Sequence, residues 1–202
     1  MKQLLKIQII ISIFQILGEH KVYIKLKKIN VFSHLFTDIT KVISIEFSDN
    51  FNSSEIGLMN DCFSGYTNLE YIDMSKLNLT KNRCFMNLFY NDTNLEEVIF
   101  PTLEFKNIYW FYGMFYGCKK LTYVDMSSVY NNEGEYYYDM FRGCKSLEYI
   151  NLQNFRKGCS SCNKRNMFLD VPKNATIIIH DNFAKYIEDQ LNNFELVFRP
   201  NE

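Results

Sequence analysis

The chain has 202 residues and a formal net charge of −1, from 22 basic and 23 acidic side chains. A balanced charge gives no general attraction for a phosphate backbone, so sequence-independent nucleic-acid binding is not expected. Hydrophobic residues make up 47% and aromatic residues 16% of the chain, with only 3 prolines and 8 glycines, which excludes disorder over most of its length.

The first 18 residues are typical of a secretory signal peptide, because two lysines precede a short apolar run that ends at Gly18. The run is too short to cross a hydrocarbon core of about 30 Å as a helix, so no permanent membrane span is expected. Gln8 and Gln15 interrupt the run, and the alternative is that it forms the first strand or helix of the fold. We predict a signal peptide at 1–18 and keep this alternative open.

From residue 35 onward the sequence repeats about every 26 residues. The two clearest copies begin at Met114 and Met140 and match at nearly every apolar position. The anchoring phenylalanines of successive copies, 26 or 27 residues apart, are Phe36, Phe63, Phe89, Phe115, Phe141 and Phe168. A second apolar register follows the strand portions at Leu77, Leu103, Val129 and Phe155. One copy cannot bury its own apolar side, so the copies must stack into a solenoid in which equivalent side chains form ladders.

Each copy predicts one rung of this solenoid. Alternate residues of its Leu-x-x-Val/Ile-x-Met portion face one side, as in a short strand, and the preceding Met-Phe segment supplies a ring that packs under the strand. We expect a leucine-rich-repeat-like, right-handed stack of about six 26-residue rungs over residues 19–180. Each rung would consist of a short strand plus a helical or irregular segment.

The units at 114–127 and 140–152, with the pattern Met-Phe-x-Gly-Cys-x-x-Leu, resemble the BspA-type leucine-rich repeat. That repeat is found in surface proteins of bacteria and parasitic protists, and it is related to the repeat domain of mycoplasma surface lipoproteins. The resemblance covers about residues 35–180. The family's usual continuation after each strand is replaced in this chain, so binding residues cannot be transferred from it. The resemblance implies an extracellular, adhesin-like interaction protein rather than an enzyme.

Four sequons for N-linked glycosylation occur along the repeats. The acceptor asparagines are Asn52, Asn78, Asn91 and Asn174. Asparagine is abundant in this chain and some sequons arise by chance, so they indicate that glycosylation is possible in a eukaryotic secretory route.

Aromatic clusters at 109–112 and 136–138 occupy nearly matching places in two adjacent copies. Consecutive aromatic side chains cannot all point inward along a strand or a helix. We expect Phe111 and Tyr137 in the core. Two interpretations stay open for the other rings: they pack on the neighbouring rung, or they form a patch that binds a protein or glycan partner. These rings are Tyr109, Trp110, Tyr112, Tyr136 and Tyr138.

The six cysteines form an even number, which permits disulfides in an exported protein. Cys118 and Cys144 share one repeat position and are interpreted as small buried side chains. Cys159 and Cys162 lie in a polar loop and predict a local disulfide if the chain is exported. A zinc site would need a second such cysteine pair, so no metal is expected.

Residues 181–202 predict a C-terminal cap. Asp181 suits the N-cap of a helix from Phe183 to Leu191, and residues 195–198 suit one further strand. Such a helix and strand would cover the open end of the solenoid.

No catalytic arrangement can be assembled from the sequence. The three histidines are far apart in the array, and no glycine-rich phosphate loop follows a strand. We therefore expect a non-enzymatic protein that uses no cofactor, is secreted or displayed on the cell surface, and presents the solenoid to a protein or glycan partner. The alternative is an intracellular, cytoplasmic scaffold of the same fold for protein–protein interaction.

Overall fold

The computed structural model describes residues 7–15, 18–26, 42–49, 51, 53–102, 105–106, 108–131, 135–156 and 163–199. Helix within these ranges is limited to α1 (Asp181–Tyr186) and a 3-10 turn, Glu188–Gln190. The strands in chain order are β1 (Ile7–Gln15), β2 (Gly18–Leu26), β3 (Val42–Phe47), β4 (Tyr71–Asp73), β5 (Glu97–Ile99), β6 (Phe105–Lys106), β7 (Tyr123–Asp125), β8 (Val129–Tyr130), β9 (Tyr149–Leu152), β10 (Thr176–His180) and β11 (Glu195–Arg199).

Six of these strands, one from each repeat, confirm the predicted stack. β3, β4 and β5 pair in parallel, and so do β7, β9 and β10. The register places Ile45 beside Ile72 and Ile72 beside Val98, so neighbouring residues are one repeat apart in the sequence. The chain is a β-solenoid of about 5 turns with little helix. Between β5 and β7 the hydrogen-bonded sheet is interrupted.

The N-terminal segment pairs with the first rung. β1 runs antiparallel to both β2 and β3, which gives the sheet order β2-β1-β3-β4-β5. In this pairing the apolar run forms β1, which agrees with the alternative interpretation of the run as the first structural element of the fold. Cleavage within residues 1–18 stays a prediction, because strand pairing in the complete chain does not report on processing.

The anchoring phenylalanines form a continuous ladder inside the solenoid. Successive rings are buried and stack with centroids 5.4 to 5.6 Å apart and interplanar angles of 2° to 17°. Each such pair contributes about 0.5–1.5 kcal/mol beyond the area that it buries. The ladder contains Phe63, Phe89, Phe115, Phe141 and Phe168, whereas Phe36 lies outside the described residues.

Each described rung turns at two left-handed positions, two residues before and two residues after its anchoring phenylalanine. The ten residues with positive φ at these positions are Asp61, Gly65, Asn87, Asn91, Gly113, Gly117, Asp139, Gly143, Asn166 and Asp170. Glycine, asparagine and aspartate reach this region at the lowest cost. The turns aim main-chain N–H groups at the next rung; for example, Phe89 N–H donates to the Met114 carbonyl at 2.9 Å.

The position three residues after the anchoring phenylalanine is buried in successive rungs. The Cys118 thiol donates to the Phe89 carbonyl and the Cys144 thiol to the Phe115 carbonyl, both at 3.1 Å. Both cysteines are free and buried, which confirms the interpretation as small core side chains. Cys159 and Cys162 lie outside the described residues, so their disulfide stays a prediction.

Asp92 occupies the same position in another rung and brings a carboxyl group into the core. Its Oδ1 accepts the Tyr66 N–H at 2.7 Å, whereas Oδ2 has no hydrogen-bond partner. Burial raises the pKa of Asp92 well above its ordinary value of 3.8, and backbone hydrogen bonds from Tyr66 and Gly65 oppose that rise. Asp92 is therefore a pH-sensitive point in an otherwise apolar column.

The C-terminal region contains a helix and a strand as predicted, but α1 ends at Tyr186, before the predicted end at Leu191, and the predicted N-cap is wrong. α1 begins at Asp181, and the N-cap is His180, whose Nδ1 accepts the Asn182 N–H at 3.1 Å. His180 is still extended at the end of β10, so its ring stands directly before the first turn of α1. β11 pairs in parallel with β10, from Thr176 opposite Glu195 to His180 opposite Arg199.

Candidate functional site: an aromatic face on the side of the solenoid

The segments that precede the anchoring phenylalanines form one side of the solenoid. Phe85 and Phe111 N–H groups donate to the Trp110 and Tyr136 carbonyls, both at 2.9 Å. The same pattern two residues later joins Gly113 N–H to the Tyr138 carbonyl at 3.1 Å. Equivalent residues of adjacent rungs therefore lie side by side in two columns. The first column is Leu58, Cys84, Trp110 and Tyr136, and the second is Asn60, Met86, Tyr112 and Tyr138.

We name as the aromatic face the surface formed by Tyr109, Trp110, Tyr112, Tyr136 and Tyr138. Trp110 is 39% exposed and Tyr136 is 38% exposed, and the other three side chains are half-buried. Tyr112 and Tyr138 stack across adjacent rungs with centroids 4.6 Å apart and planes 8° apart. Each of the two interpretations therefore fits some of these rings. Tyr112 and Tyr138 pack on the neighbouring rung, whereas Trp110 and Tyr136 face solvent.

The core residues beneath this face were correctly predicted. Phe111 and Tyr137 are fully buried and stack at 5.6 Å. The buried Tyr137 hydroxyl accepts a hydrogen bond from Asn131 Nδ2 at 2.6 Å. Phe111 and Tyr137 are therefore fixed in the core, and the residues on either side of each are directed toward the surface.

An open concavity of about 320 Å³ lies beside Trp110. Its lining is apolar or aromatic apart from one amide and consists of Leu58, Asn60, Cys84, Met86, Trp110 and Tyr112. Leu58 is itself 36% exposed. Aromatic side chains next to an apolar concavity are typical of recognition surfaces, because they bury a large area at a small cost in conformational entropy.

The two stacked tyrosines of the aromatic face, Tyr112 and Tyr138, keep neutral hydroxyls because the pKa of each is raised. Burial, with a smaller contribution from Tyr138, raises the pKa of Tyr112 to about 12. Burial also raises the pKa of Tyr138, opposed by its hydrogen bond with Tyr112. Neutral hydroxyls both donate and accept hydrogen bonds. The face is thus suited to a ligand with an apolar surface and neutral polar groups, such as a sugar ring or a peptide backbone.

A further tyrosine pair extends this side of the solenoid and was missed in the sequence. Tyr90 and Tyr116 stack at 4.5 Å, and the Arg142 guanidinium lies 5.5 Å from the Tyr116 ring centroid. Arg142 is also paired with Asp139 at 3.3 Å. The available signal was that Tyr90, Tyr116 and Arg142 each come directly after an anchoring phenylalanine.

A second concavity, of about 470 Å³, lies on the strand side where the sheet is interrupted between β5 and β7. Its lining includes Glu97, Tyr123, Asp125 and Ser128. Tyr123 is 45% exposed and stacks on Tyr149 at 4.7 Å. Asp125 Oδ1 accepts the Ser127 N–H at 2.8 Å, so this carboxylate closes a turn. The sequence did not indicate the interruption, because both flanking strands follow the repeat.

The sequons occupy different environments. Asn91 and Asn174 are exposed, whereas Asn78 is half-buried and its Oδ1 accepts the Thr80 hydroxyl at 2.7 Å. Asn52 lies outside the described residues. Use of any of these sites stays a prediction.

No group of three or more histidine, cysteine, aspartate or glutamate side chains in the described ranges is placed to hold a metal ion. None of the helices described for this chain is both long enough and apolar enough to cross a membrane.

Parallel rungs in register and an extended lateral surface define a solenoid repeat protein, a class that recognises partners through its surface. Comparison with protein families identifies the type of repeat. The model of the BspA type leucine rich repeat region matches in 6 copies, over residues 12–108 and 60–194. The chain belongs to this family, as the units at 114–127 and 140–152 indicated. No curated protein and no solved structure matched the chain.

Proposed function

We propose that this chain is a secreted or cell-surface adhesion protein that binds a protein or glycan partner through the aromatic face. The exposure of Trp110 and Tyr136 in adjacent rungs, next to an apolar concavity, is the observation that supports this most directly. Membership of the family supports the surface role, because BspA-type repeats occur in surface proteins.

The main chain beneath the aromatic face is suited to hold a binding surface in place. The Trp110 carbonyl is held by Phe85 N–H, and Phe111 N–H holds the Tyr136 carbonyl. Tyr112 and Tyr138 fix each other by stacking. A surface that is ordered before the ligand arrives loses less entropy on binding, so a few aromatic contacts can supply most of the affinity.

A binding screen with matched variants tests the proposed face. The full chain is applied to arrays of glycans and of extracellular protein domains, and each ligand that it retains is tested against Trp110→Ser and Tyr136→Ser. We expect each variant to weaken binding about 30-fold, the loss typical of an interface hot spot. Tyr123→Ser is the control, because Tyr123 is an exposed tyrosine on the strand side. Equal binding by wild type and both variants would place the ligand elsewhere.

The alternative is an intracellular scaffold, whose chain would retain residues 1–18 and with them the pairing of β1 with β3. N-terminal sequencing of the native protein separates the two locations. The surface proposal predicts a mature chain that begins close to Gly18, whereas retention of residues 1–17 would contradict export.

A further inference from the structure

The C-terminal end of the solenoid has a strand edge that the predicted cap does not cover. β11 is the last strand of the sheet β11-β10-β9-β7, and no strand within the described residues pairs with its outer edge. An edge of this kind presents a row of main-chain donors and acceptors to another chain. Val197 is 40% exposed and Phe198 is 51% exposed, so apolar side chains accompany the open edge.

A large concavity adjoins β11 on one side. It has a volume of about 700 Å³, and its lining combines charged and amide side chains of residues 181–193 with apolar side chains, which are Ala184, Leu191, Leu196 and Phe198. Leu196 packs against the core, whereas Phe198 stands largely in solvent. Since alternate residues of a strand share a side, Leu196 and Phe198 belong to the side of β11 that faces the concavity.

The sequence of β11 is complementary to itself when two copies run antiparallel. It reads Glu-Leu-Val-Phe-Arg and has Val197 at its centre. A two-fold axis through Val197 places Glu195 opposite residue 199 of a second copy, Leu196 opposite Phe198, and Val197 opposite Val197. Opposite charges then meet at both ends, and apolar residues meet between them, which are the favourable cross-strand pairs of an antiparallel sheet.

We propose that this chain forms a two-fold symmetric dimer in which the β11 edges of two copies pair antiparallel, with Val197 on the axis. The four-stranded sheet of each copy becomes half of a continuous eight-stranded sheet. Phe198 of each copy packs against Leu196 of the other and covers part of its concavity. An isologous contact of this kind is closed, so assembly stops at two copies.

The dimer leaves the aromatic face free. That face belongs to the segments preceding the anchoring phenylalanines, whereas the dimer contact belongs to β11 at the end of the stack. The dimer would therefore present two aromatic faces, which allows bivalent binding to a surface-bound partner. Self-association does not depend on the identity of that partner.

Charge exchange at the ends of β11 tests the pairing. Sedimentation velocity measures the assembly of the full-length wild type, Glu195→Arg and Arg199→Glu. The concentrations extend to about 100 µM, because the contact between two single strands is small compared with a standard interface of about 1,600 Å² and the dimer is expected to be weak. We expect a wild-type dimer, and for either variant a dissociation constant about 30-fold higher, since like charges then meet at both ends. An equimolar mixture of the two variants restores opposite charges at both ends, and we expect it to dimerise like wild type.

The mixture distinguishes the proposed register from loss of folding, because two unfolded variants would not restore a dimer. Glu148→Arg, a charge reversal at an exposed residue next to β9, is the control and is expected to dimerise like wild type. Three results would overturn the proposal: a monomeric wild type over the whole concentration range, a mixture that stays monomeric, or oligomers that grow beyond two copies with concentration.

Discussion

The phenylalanine ladder predicts that energetic coupling follows the distance between rungs. Phe89 and Phe115 stack at 5.4 Å, whereas Phe63 and Phe141 are separated by three ladder steps. Replacing one interior ring by leucine keeps an apolar side chain but removes its two stacked aromatic pairs, at a cost of about 1–3 kcal/mol. Because Phe89→Leu already removes the pair with Phe115, the double variant should be less destabilised than the two single costs together, by about 1 kcal/mol.

Urea unfolding of the single and double variants measures this coupling. Circular dichroism and Trp110 emission should give coincident transitions, which establishes that one free energy of unfolding describes each variant. The distant pair, Phe63→Leu with Phe141→Leu, is the control and should be additive within about 0.3–0.5 kcal/mol. Additive costs for Phe89→Leu and Phe115→Leu, or equal coupling in the distant pair, would refute the stacked ladder.

Two further predictions concern the turns and the buried carboxyl. Gly113→Ala should lower the free energy of unfolding more than Gly65→Ala. Both glycines have positive φ, but of the two only Gly113 would bring its new Cβ against a neighbouring atom, Asn87 Oδ1. Urea unfolding compares the two variants, and equal losses would contradict the contact. For Asp92→Asn, the stability relative to wild type should rise between pH 4 and pH 7.5. Because the pKa of the Asp92 carboxyl is raised, the wild type loses stability as pH rises above about 3.8, whereas the amide of the variant does not titrate. A difference in unfolding free energy between variant and wild type that is independent of pH would argue against a buried carboxyl.

Features that recur in every copy could be predicted from the sequence. The rung length, the parallel strands and the phenylalanine ladder each depend on a pattern repeated several times, so variation in one copy does not hide it. The same alternation identified Phe111 and Tyr137 as core residues. The sequence also indicated the chemistry of the aromatic face, since consecutive aromatic residues cannot all be buried.

Features that occur in only one copy could not be predicted. The His180 N-cap depends on where β10 ends, and the interruption between β5 and β7 depends on how two similar rungs are spaced. Which aromatic rings are exposed depends on their neighbours in the next rung: Tyr112 finds a stacking partner in Tyr138, whereas Trp110 remains on the surface. These details are decided by contacts between copies rather than by the pattern within one.

The fluorescence of Trp110 tests the proposed binding surface most directly. Trp110 is the only tryptophan of the chain and lies partly exposed on the aromatic face, so its emission reports on that face alone. A ligand retained in the binding screen is titrated into the full chain while the emission maximum and acrylamide quenching are followed. Binding at the aromatic face predicts a shifted emission and weaker quenching that saturate with the ligand. Saturated binding with unchanged emission and quenching would contradict the proposal.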